Sequence, residues 1–177
     1  EPAADAQADA QTASDNSAGD ASAEADSVPE DQLLSSREQF SVAAKAALLI
    51  DLNTNRVVYE QDADERVYPA SLTKIMTCLV ALENSSLDDT VTFSHDAVYN
   101  VEDGSGNKNA IEEGDTLSVR DCLYLLLMRS SNQAANALAE HVGGSRDGFV
   151  KMMNEKTAEL GCENSHFANP SGLNDDT

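Results

Sequence analysis

The first 32 residues limit what this chain can fold into, because they cannot contribute to an apolar core. They hold nine acidic residues, no basic residue and no aromatic residue, separated mostly by Ala, Ser and Gln. A segment of this composition buries too little apolar surface to offset the entropy lost on ordering. The sequence therefore predicts a disordered, acidic Ala/Ser-rich tail over residues 1–38 and a single folded domain over residues 39–177.

The charge of the chain excludes two classes of partner. The 177 residues include 32 acids and 11 bases, for a formal charge of −21. Nucleic acids and anionic membrane surfaces are bound through basic patches, so neither is expected as the main partner. No apolar run approaches the roughly 20 residues that a membrane span requires, and membrane anchoring is therefore not visible in this chain.

A hairpin signal begins the predicted domain. Residues 45–64 hold two apolar runs rich in strand-forming residues, separated by the turn-prone residues 53–55. We expect Leu48, Ile50, Val57 and Tyr59 to contact the core.

The rest of the domain is mainly helical. Apolar residues recur at helical spacing from Ser71 to Glu83, and residues 90–94 are a short strand candidate. Residues 101–110 have the composition of a loop. Further helices are predicted at about 118–128, 133–142 and 145–160, with residues 129–132 interrupting the first two. A hairpin followed by helices indicates an α+β fold, and two strands alone indicate an incomplete sheet.

The cysteines and histidines do not form a recognisable site. Cys78, Cys122 and Cys162 are widely spaced and do not cluster with histidines, which argues against a disulfide framework or a zinc site. We interpret the cysteines as buried free thiols. The three histidines are interpreted as surface or packing residues: His95, His141 and His166.

The start of the first helix has the residues of a nucleophile and its base. Ser71 and Lys74 lie three residues apart, so their side chains share a helix face with Cβ atoms roughly 5–6 Å apart. The simpler interpretation is a helix-capping serine followed by a surface lysine. A lysine base must also lose a proton whose ordinary pKa is near 10.4, which costs roughly 4.6 kcal/mol at pH 7. Desolvation in a closed cleft can supply that amount, whereas a helix N-terminus alone cannot.

The S-x-x-K pattern alone is not specific, because Ser105 and Lys108 also fit it. That second pair lies in the glycine-containing loop and precedes no apolar helix. Only Ser71 and Lys74 can therefore be held on one rigid face.

The segment YPASLTKIMT closely resembles the nucleophile segment of the penicillin-recognising serine enzymes, whose signature is S-x-x-K, S-x-N and K-T-G. S-x-N occurs at residues 14–16, 105–107 and 130–132. Only the third lies between two predicted helices, where the family places this element. The segments LYLLLMRSSNQAANALAEHVGG, FVKMMNEKTAELG and HFANPSGL resemble the low-molecular-weight D-alanyl-D-alanine carboxypeptidases in particular.

The resemblance implies a role for each matched residue. Ser71 would attack the carbonyl of a D-Ala-D-Ala peptide or a β-lactam, with Lys74 as the general base. Ser130 would relay a proton to the leaving amine, and Asn132 would hold the substrate amide and the lysine. The amide of Ser71 would supply half of an oxyanion hole. Taken alone, Ser130 and Asn132 also fit an interhelical cap.

The resemblance also implies a β-lactamase/transpeptidase-like fold and a penicillin-sensitive enzyme of cell-wall peptidoglycan. The implied partners are D-Ala-D-Ala stem peptides, with β-lactams as inhibitors, and the implied location is extracytoplasmic. No cofactor and no metal is implied.

The third signature element, K-T-G, is absent from the 177 residues. The nearest spelling, at residues 156–158, lacks the glycine and lies in a predicted helix. In the family, K-T-G lies on a later strand that binds the substrate carboxylate and contributes the second oxyanion amide. We therefore expect a partial serine transpeptidase-like domain that is inactive alone.

Two other functions remain open. A class A-type β-lactamase shares the fold, but residues after 132 hold no recognisable E-x-x-L-N. A non-catalytic cell-wall binding module is the second alternative, and it predicts that Ser71→Ala has no effect.

Overall fold

The computed structural model describes residues 42–101 and 110–173. The chain divides into two units, Glu1–Ala43 and Ala44–Thr177. The helices and strands of the described residues all belong to the second unit. The predicted tail over 1–38, the S-x-N at 14–16 and most of the predicted loop, with Ser105 and Lys108, lie outside the described residues.

The predicted hairpin is confirmed. Strand β1 (Ala47–Asp51) pairs antiparallel with β2 (Arg56–Gln61), and Leu49 lies opposite Tyr59. In the turn, the backbone N–H of Asn53 donates to Asp51 Oδ1 at 2.8 Å. This bond is the main reason why the pKa of Asp51 lies below its ordinary value.

The expected core contacts of the hairpin are largely wrong. The exposed fractions of Leu48, Ile50 and Val57 are 54%, 38% and 38%, and only Tyr59 is half-buried. On the opposite face Leu49 is also exposed. Within the described residues, neither apolar core cluster contains a hairpin residue, because no other element covers either face of this two-stranded sheet.

The first helix begins two residues later than the sequence predicts. A 3-10 turn (Ala70–Leu72) leads into α1 (Thr73–Asn84). The buried face of α1 includes Val80 and Ala81, whereas Leu72 and Ile75 are exposed. Only part of the predicted apolar stripe therefore faces the core.

A second small sheet contains a strand that the sequence pattern did not predict. Strand β3 (Thr90–Thr92), which the sequence predicts, pairs antiparallel with β4 (Thr116–Ser118), which it does not predict. A short helix, α2 (His95–Tyr99), was also missed. Both elements are too short, at three and five residues, for hydrophobic periodicity to reveal them.

The other three predicted helices are confirmed to within two residues at each end. They are α3 (Val119–Arg129), α4 (Asn132–Gly143) and α5 (Arg146–Glu159). Each begins after a serine whose hydroxyl accepts a backbone N–H of the first turn. These serines are Ser118, Ser131 and Ser145.

Helix α4 is the centre of the core. It contacts α1, α2, α3, α5 and β3, and seven consecutive residues from Gln133 to Ala139 are buried. Small alanine side chains on several faces allow these elements to approach closely. The arrangement of helices and antiparallel strands confirms the α+β class. Among the described residues, no helix has both the length and the apolar character needed to cross a bilayer.

Candidate active site

Ser71 lies in the 3-10 turn, immediately before α1. Its predecessor Ala70 has a left-handed backbone, with φ at 50°. Neither the turn nor α1 begins with a side-chain capping bond. The interpretation of Ser71 as a helix cap is therefore wrong, and its exposed hydroxyl contacts other side chains instead.

Lys74 is almost completely buried, with 3% of its surface exposed. Its Nζ donates to Ser71 Oγ at 3.1 Å and to the backbone carbonyl oxygen of Ser171 at 2.7 Å. The spacing of three residues predicted that Ser71 and Lys74 share a face, and the structure brings their polar atoms into direct contact.

Ser130 approaches Ser71 from the connection between α3 and α4. Its Oγ donates to Ser71 Oγ at 3.0 Å, across 59 residues of sequence. The backbone of Ser130 is left-handed, with φ at 55°, and its N–H donates to the carbonyl of Leu125 in the last turns of α3. This conformation ends α3 and directs the hydroxyl towards Ser71.

Asn132 is less closely connected to this group. It is the first residue of α4 and is half-buried. The hydrogen bonds that join Ser71 to Lys74 and Ser130 do not include it. The cap of α4 is Ser131, whose Oγ accepts the N–H of Ala134 at 3.2 Å. Ser131 therefore caps the start of α4 through its side chain and Ser130 caps the end of α3 through its backbone, so the interhelical-cap interpretation fits both serines but not Asn132.

Residues 169–173 contribute to the site, although the resemblance of HFANPSGL to the family assigned none of them a role. Besides the bond from Lys74 to Ser171, the Thr77 hydroxyl donates to the carbonyl oxygen of Pro170 at 2.7 Å. Backbone carbonyls carry no residue-type signal, so the sequence could not identify them as partners. The available indications were the turn-forming Pro170 and Gly172 and the resemblance of the HFANPSGL segment that contains them.

Two surface cavities lie away from Ser71. One, of about 320 Å³, lies between α1 and α5 at Glu83 and Lys156. The other, of about 540 Å³, lies along the hairpin at Leu48 and Glu65. The contacts of Ser71 identify the candidate site better than these cavities do, because neither cavity brings together a nucleophile and a base.

The residues of the false K-T-G spelling lie within a helix rather than on a strand. Lys156 and Thr157 belong to α5, and Thr157 Oγ1 donates to the carbonyl of Met153 in the same helix. Hydrogen bonds from Lys156 to Glu159 and then to Glu83 raise the pKa of Lys156. Lys156 therefore links α5 to α1 and is not part of the group at Ser71.

The geometry allows a specific proton pathway. Ser71 Oγ lies between an amine and a second hydroxyl, at 3.1 and 3.0 Å. A nucleophilic hydroxyl needs a base within hydrogen-bond reach, and a leaving group needs an acid on its own side. Beside the Ser71 hydroxyl, Lys74 can supply the base and Ser130 can supply the acid.

Known proteins resemble this chain in sequence and in fold. Residues 33–177 match a family described as D-alanyl-D-alanine carboxypeptidase. The D-alanyl-D-alanine carboxypeptidase DacF of Bacillus subtilis is 39% identical over 136 residues, which cover 75% of this chain and 34% of that protein. A D-alanyl-D-alanine endopeptidase of Pseudomonas aeruginosa is 37% identical over 136 residues, covering 76% of this chain and 43% of the relative.

A solved structure supports the same fold. The crystal structure of the D-alanyl-D-alanine carboxypeptidase DacD from Francisella tularensis superposes with a TM-score of 0.71 at 36% identity, covering 78% of this chain and 34% of that one. The molecule therefore has the fold of the D-alanyl-D-alanine peptidases, as the β-lactamase/transpeptidase-like expectation stated. The chain belongs to the D-alanyl-D-alanine carboxypeptidase family. It spans about a third of the length of DacF.

Proposed function

We propose that this protein is a serine-type D-alanyl-D-alanine carboxypeptidase that acts on peptidoglycan stem peptides and is acylated by β-lactams. One observation carries the proposal: Ser71 Oγ lies within hydrogen-bond distance of both Lys74 Nζ and Ser130 Oγ. Membership of the family supports the choice of substrate.

In the acylation step, Ser71 Oγ attacks the carbonyl carbon of the bond between the two D-Ala residues. The amine of Lys74, in its neutral form, takes the proton from Ser71 as the C–O bond forms. The C–N bond then breaks, and the hydroxyl of Ser130 gives its proton to the departing amine of the terminal D-Ala while the proton held by Lys74 replaces it, which leaves Lys74 neutral again. The product is an acyl ester on Ser71 and a free D-Ala.

In the deacylation step, water replaces the departed amine. It gives a proton to the base as its oxygen attacks the ester carbonyl, and Ser71 regains its proton when the ester breaks. With a β-lactam, the leaving nitrogen stays tethered to the acyl group through the opened ring. A long-lived adduct is therefore the expected result.

Two further groups are assigned by resemblance alone. Asn132 would bind the substrate amide, and the backbone N–H of Ser71 would donate to the developing oxyanion. One preorganised donor of this kind typically contributes about 10²–10³ in rate. The second oxyanion donor and the cation for the substrate carboxylate belong to the K-T-G strand of the family, which the 177 residues do not contain.

We place the protein in the cell envelope, outside the cytoplasm. The substrate is part of the cell wall, and relatives such as DacF are D-alanyl-D-alanine carboxypeptidases. The division into a tail over residues 1–38 and a domain over residues 39–177 stays a proposal from the sequence.

The test is intact-mass analysis after incubation with a penicillin. It compares the 177-residue chain with an extended chain, in which residues 1–177 are continued with the C-terminal part of DacF so that a K-T-G segment follows. Each is made with Ser71→Ala and with Ser105→Ala, the matched control at the other S-x-x-K pattern. We expect an adduct on the extended chain that Ser71→Ala abolishes and Ser105→Ala leaves unchanged.

Each other outcome points to a defined alternative. Absence of an adduct from every form would overturn the acyl-transfer function and favour the non-catalytic module. Rapid hydrolysis of penicillin without a lasting adduct would favour the β-lactamase. Release of D-Ala from a free pentapeptide, measured against cleavage of a crosslinked dimer, separates a carboxypeptidase from an endopeptidase like the Pseudomonas aeruginosa relative.

A further inference from the structure

Helix α1 holds two consecutive backbone carbonyls of the 169–173 segment. Thr77 Oγ1 donates to the carbonyl of Pro170 at 2.7 Å, and Lys74 Nζ donates to the carbonyl of Ser171 at the same distance. A hydroxyl has one proton, and the other acceptor near Thr77, the carbonyl of Thr73, is 3.5 Å away. The bond to Pro170 is therefore the one that Thr77 makes.

The 169–173 segment is itself a stiff turn. Asn169 Oδ1 accepts the backbone N–H groups of Ser171 and Gly172 at 3.1 and 2.7 Å, and its Nδ2 donates to the carbonyl of Leu173 at 2.8 Å. Ser171 is 2% exposed. Because the turn is closed by its own side chain, fixing Pro170 also fixes the adjacent carbonyl of Ser171.

At Gly172, this turn packs closely against the backbone of Ala70, the residue before Ser71. The φ of Gly172 is 81°, and a Cβ added there would overlap the carbonyl oxygen of Ala70 and come within 2.7 Å of Thr73 Oγ1. A side chain at position 172 cannot be accommodated without moving the turn or Ala70. The 169–173 turn therefore contacts Ala70 in the 3-10 turn, and it contacts Thr73, Lys74 and Thr77 in α1.

We propose that Thr77 is a positioning residue for the Lys74 amine, acting through the Pro170–Ser171 backbone. The inference rests on the proposed function of Lys74 as the base. In the neutral amine, one N–H directed at the carbonyl of Ser171 restricts the rotation of the group. With that N–H fixed, the position on Nζ that now donates to Ser71 Oγ, 3.1 Å away, can carry the lone pair when the amine is neutral. The hydrogen bonds of the Thr77 hydroxyl go to backbone carbonyls and do not include Ser71.

The first experiment does not depend on catalysis. Lys74 is labelled with acetic anhydride in the 177-residue chain, and its rate is measured by peptide mass spectrometry relative to the exposed Lys151 of the same molecule. The variants are Thr77→Val, Thr77→Ser and Thr157→Val. Thr157 is the matched control, because it is also buried and donates to a carbonyl within its own helix.

We expect Thr77→Val to raise the relative labelling of Lys74 by roughly fivefold, the factor that one hydrogen bond of typical net strength represents. Thr77→Ser should restore the original rate because it keeps the hydroxyl, and Thr157→Val should leave it unchanged. Unchanged labelling in Thr77→Val would overturn the proposal. Equal effects of Thr77→Val and Thr157→Val would also overturn it, since general loosening would then explain both.

The second experiment measures acylation of the extended chain by a fluorescent penicillin. Thr77→Val should lower the acylation rate constant by roughly 10–100-fold, with little change in the penicillin concentration at half-saturation. Thr77→Ser should recover most of the rate. If no form is acylated, the proposed function fails. The labelling experiment then still tests whether Thr77 positions Lys74, because it does not depend on acylation.

A further variant, Gly172→Ala, moves the same turn directly, and Gly144→Ala at the end of α4 is its matched control. Gly172→Ala and Gly144→Ala both place a side chain at a left-handed φ, of 81° and 70°, but no atom lies within 4 Å of the added Cβ at Gly144. Only Gly172→Ala should increase the labelling of Lys74. An equal increase in both would show that backbone strain alone, rather than displacement of the turn, exposes the amine.

Discussion

Ser130 and Ser131 are adjacent residues with different surroundings. Ser130 is exposed, left-handed and bonded to Ser71, whereas Ser131 is buried and caps α4. The sequence placed the pair between two helices but could not assign the cap, because a serine at either position satisfies the same helix-start pattern. The backbone conformation at residue 130 decides which of the two hydroxyls contacts Ser71.

The three cysteines also differ in their surroundings. All three are free, but Cys122 is buried, Cys78 is half-buried and Cys162 is exposed, so the expectation of buried thiols is wrong for Cys162. Burial, and then the charge of Asp121, raise the pKa of Cys122 to about 12. Burial also raises the pKa of Cys78.

These differences predict the order of alkylation. The thiolate is the reactive form, and a raised pKa lowers its fraction at a given pH. At pH 8, a thiol with a pKa of about 12 is ionised in roughly one molecule in ten thousand. Iodoacetamide should therefore modify Cys162 first and Cys122 last, as measured by peptide mass spectrometry. The control in denaturant should show similar rates at all three, and rapid native labelling of Cys122 would contradict its burial.

At the scale of elements, the four longest helices were predicted within two residues, α1 from its apolar periodicity and α3, α4 and α5 from periodicity together with a serine at the start. Ser118 and Ser145 accept first-turn N–H groups, from Asp121 at 3.1 Å and Gly148 at 3.0 Å. Strand β4 was not predicted because its three residues form a strand only through their pairing with β3. Pairing between strands is a tertiary contact, which local composition does not report.

The cap of α4 predicts different effects for the two neighbouring serines. Ser131→Ala removes the acceptor for the Ala134 N–H and should lower the free energy of unfolding by about 0.5–2 kcal/mol. Ser130→Ala removes an exposed hydroxyl outside either helix and should change it by less than about 0.5 kcal/mol. Urea unfolding followed by circular dichroism measures both. A larger loss for Ser130→Ala would mean that its hydroxyl supports the fold itself.

At the scale of the whole unit, stability comes from the elements around α4 rather than from the hairpin. Leu138 of α4 is fully buried, whereas Leu49 of β1 is 55% exposed. Burial of apolar surface is the main favourable term in folding, so residues of equal chemistry contribute in proportion to the surface they lose. The hairpin's contribution was overestimated from the sequence because its apolar residues resemble those of a covered strand.

Two leucine variants test whether the core around α4 contributes more to stability than the hairpin does. Leu138→Ala should lower the free energy of unfolding by about 2–5 kcal/mol, because it leaves a cavity in the centre of the core. Leu49→Thr should change it by no more than about 0.5 kcal/mol, since threonine keeps a strand-forming side chain at an exposed position. Urea titration of the 177-residue chain provides both values. Comparable losses would show that the hairpin face is covered in solution.

The sequence by itself determined what depends on neighbours along the chain. Helix periodicity and capping located four helices, turn chemistry located the hairpin, and a spacing of three residues brought Lys74 to Ser71. Only the tertiary structure decided the contacts between distant residues. Ser130 reaches Ser71 across 59 residues, and the carbonyl of Ser171 reaches Lys74 across 97. Such contacts depend on how helices pack and which faces become buried, and no local pattern encodes the direction of a side chain or a backbone carbonyl in the folded molecule.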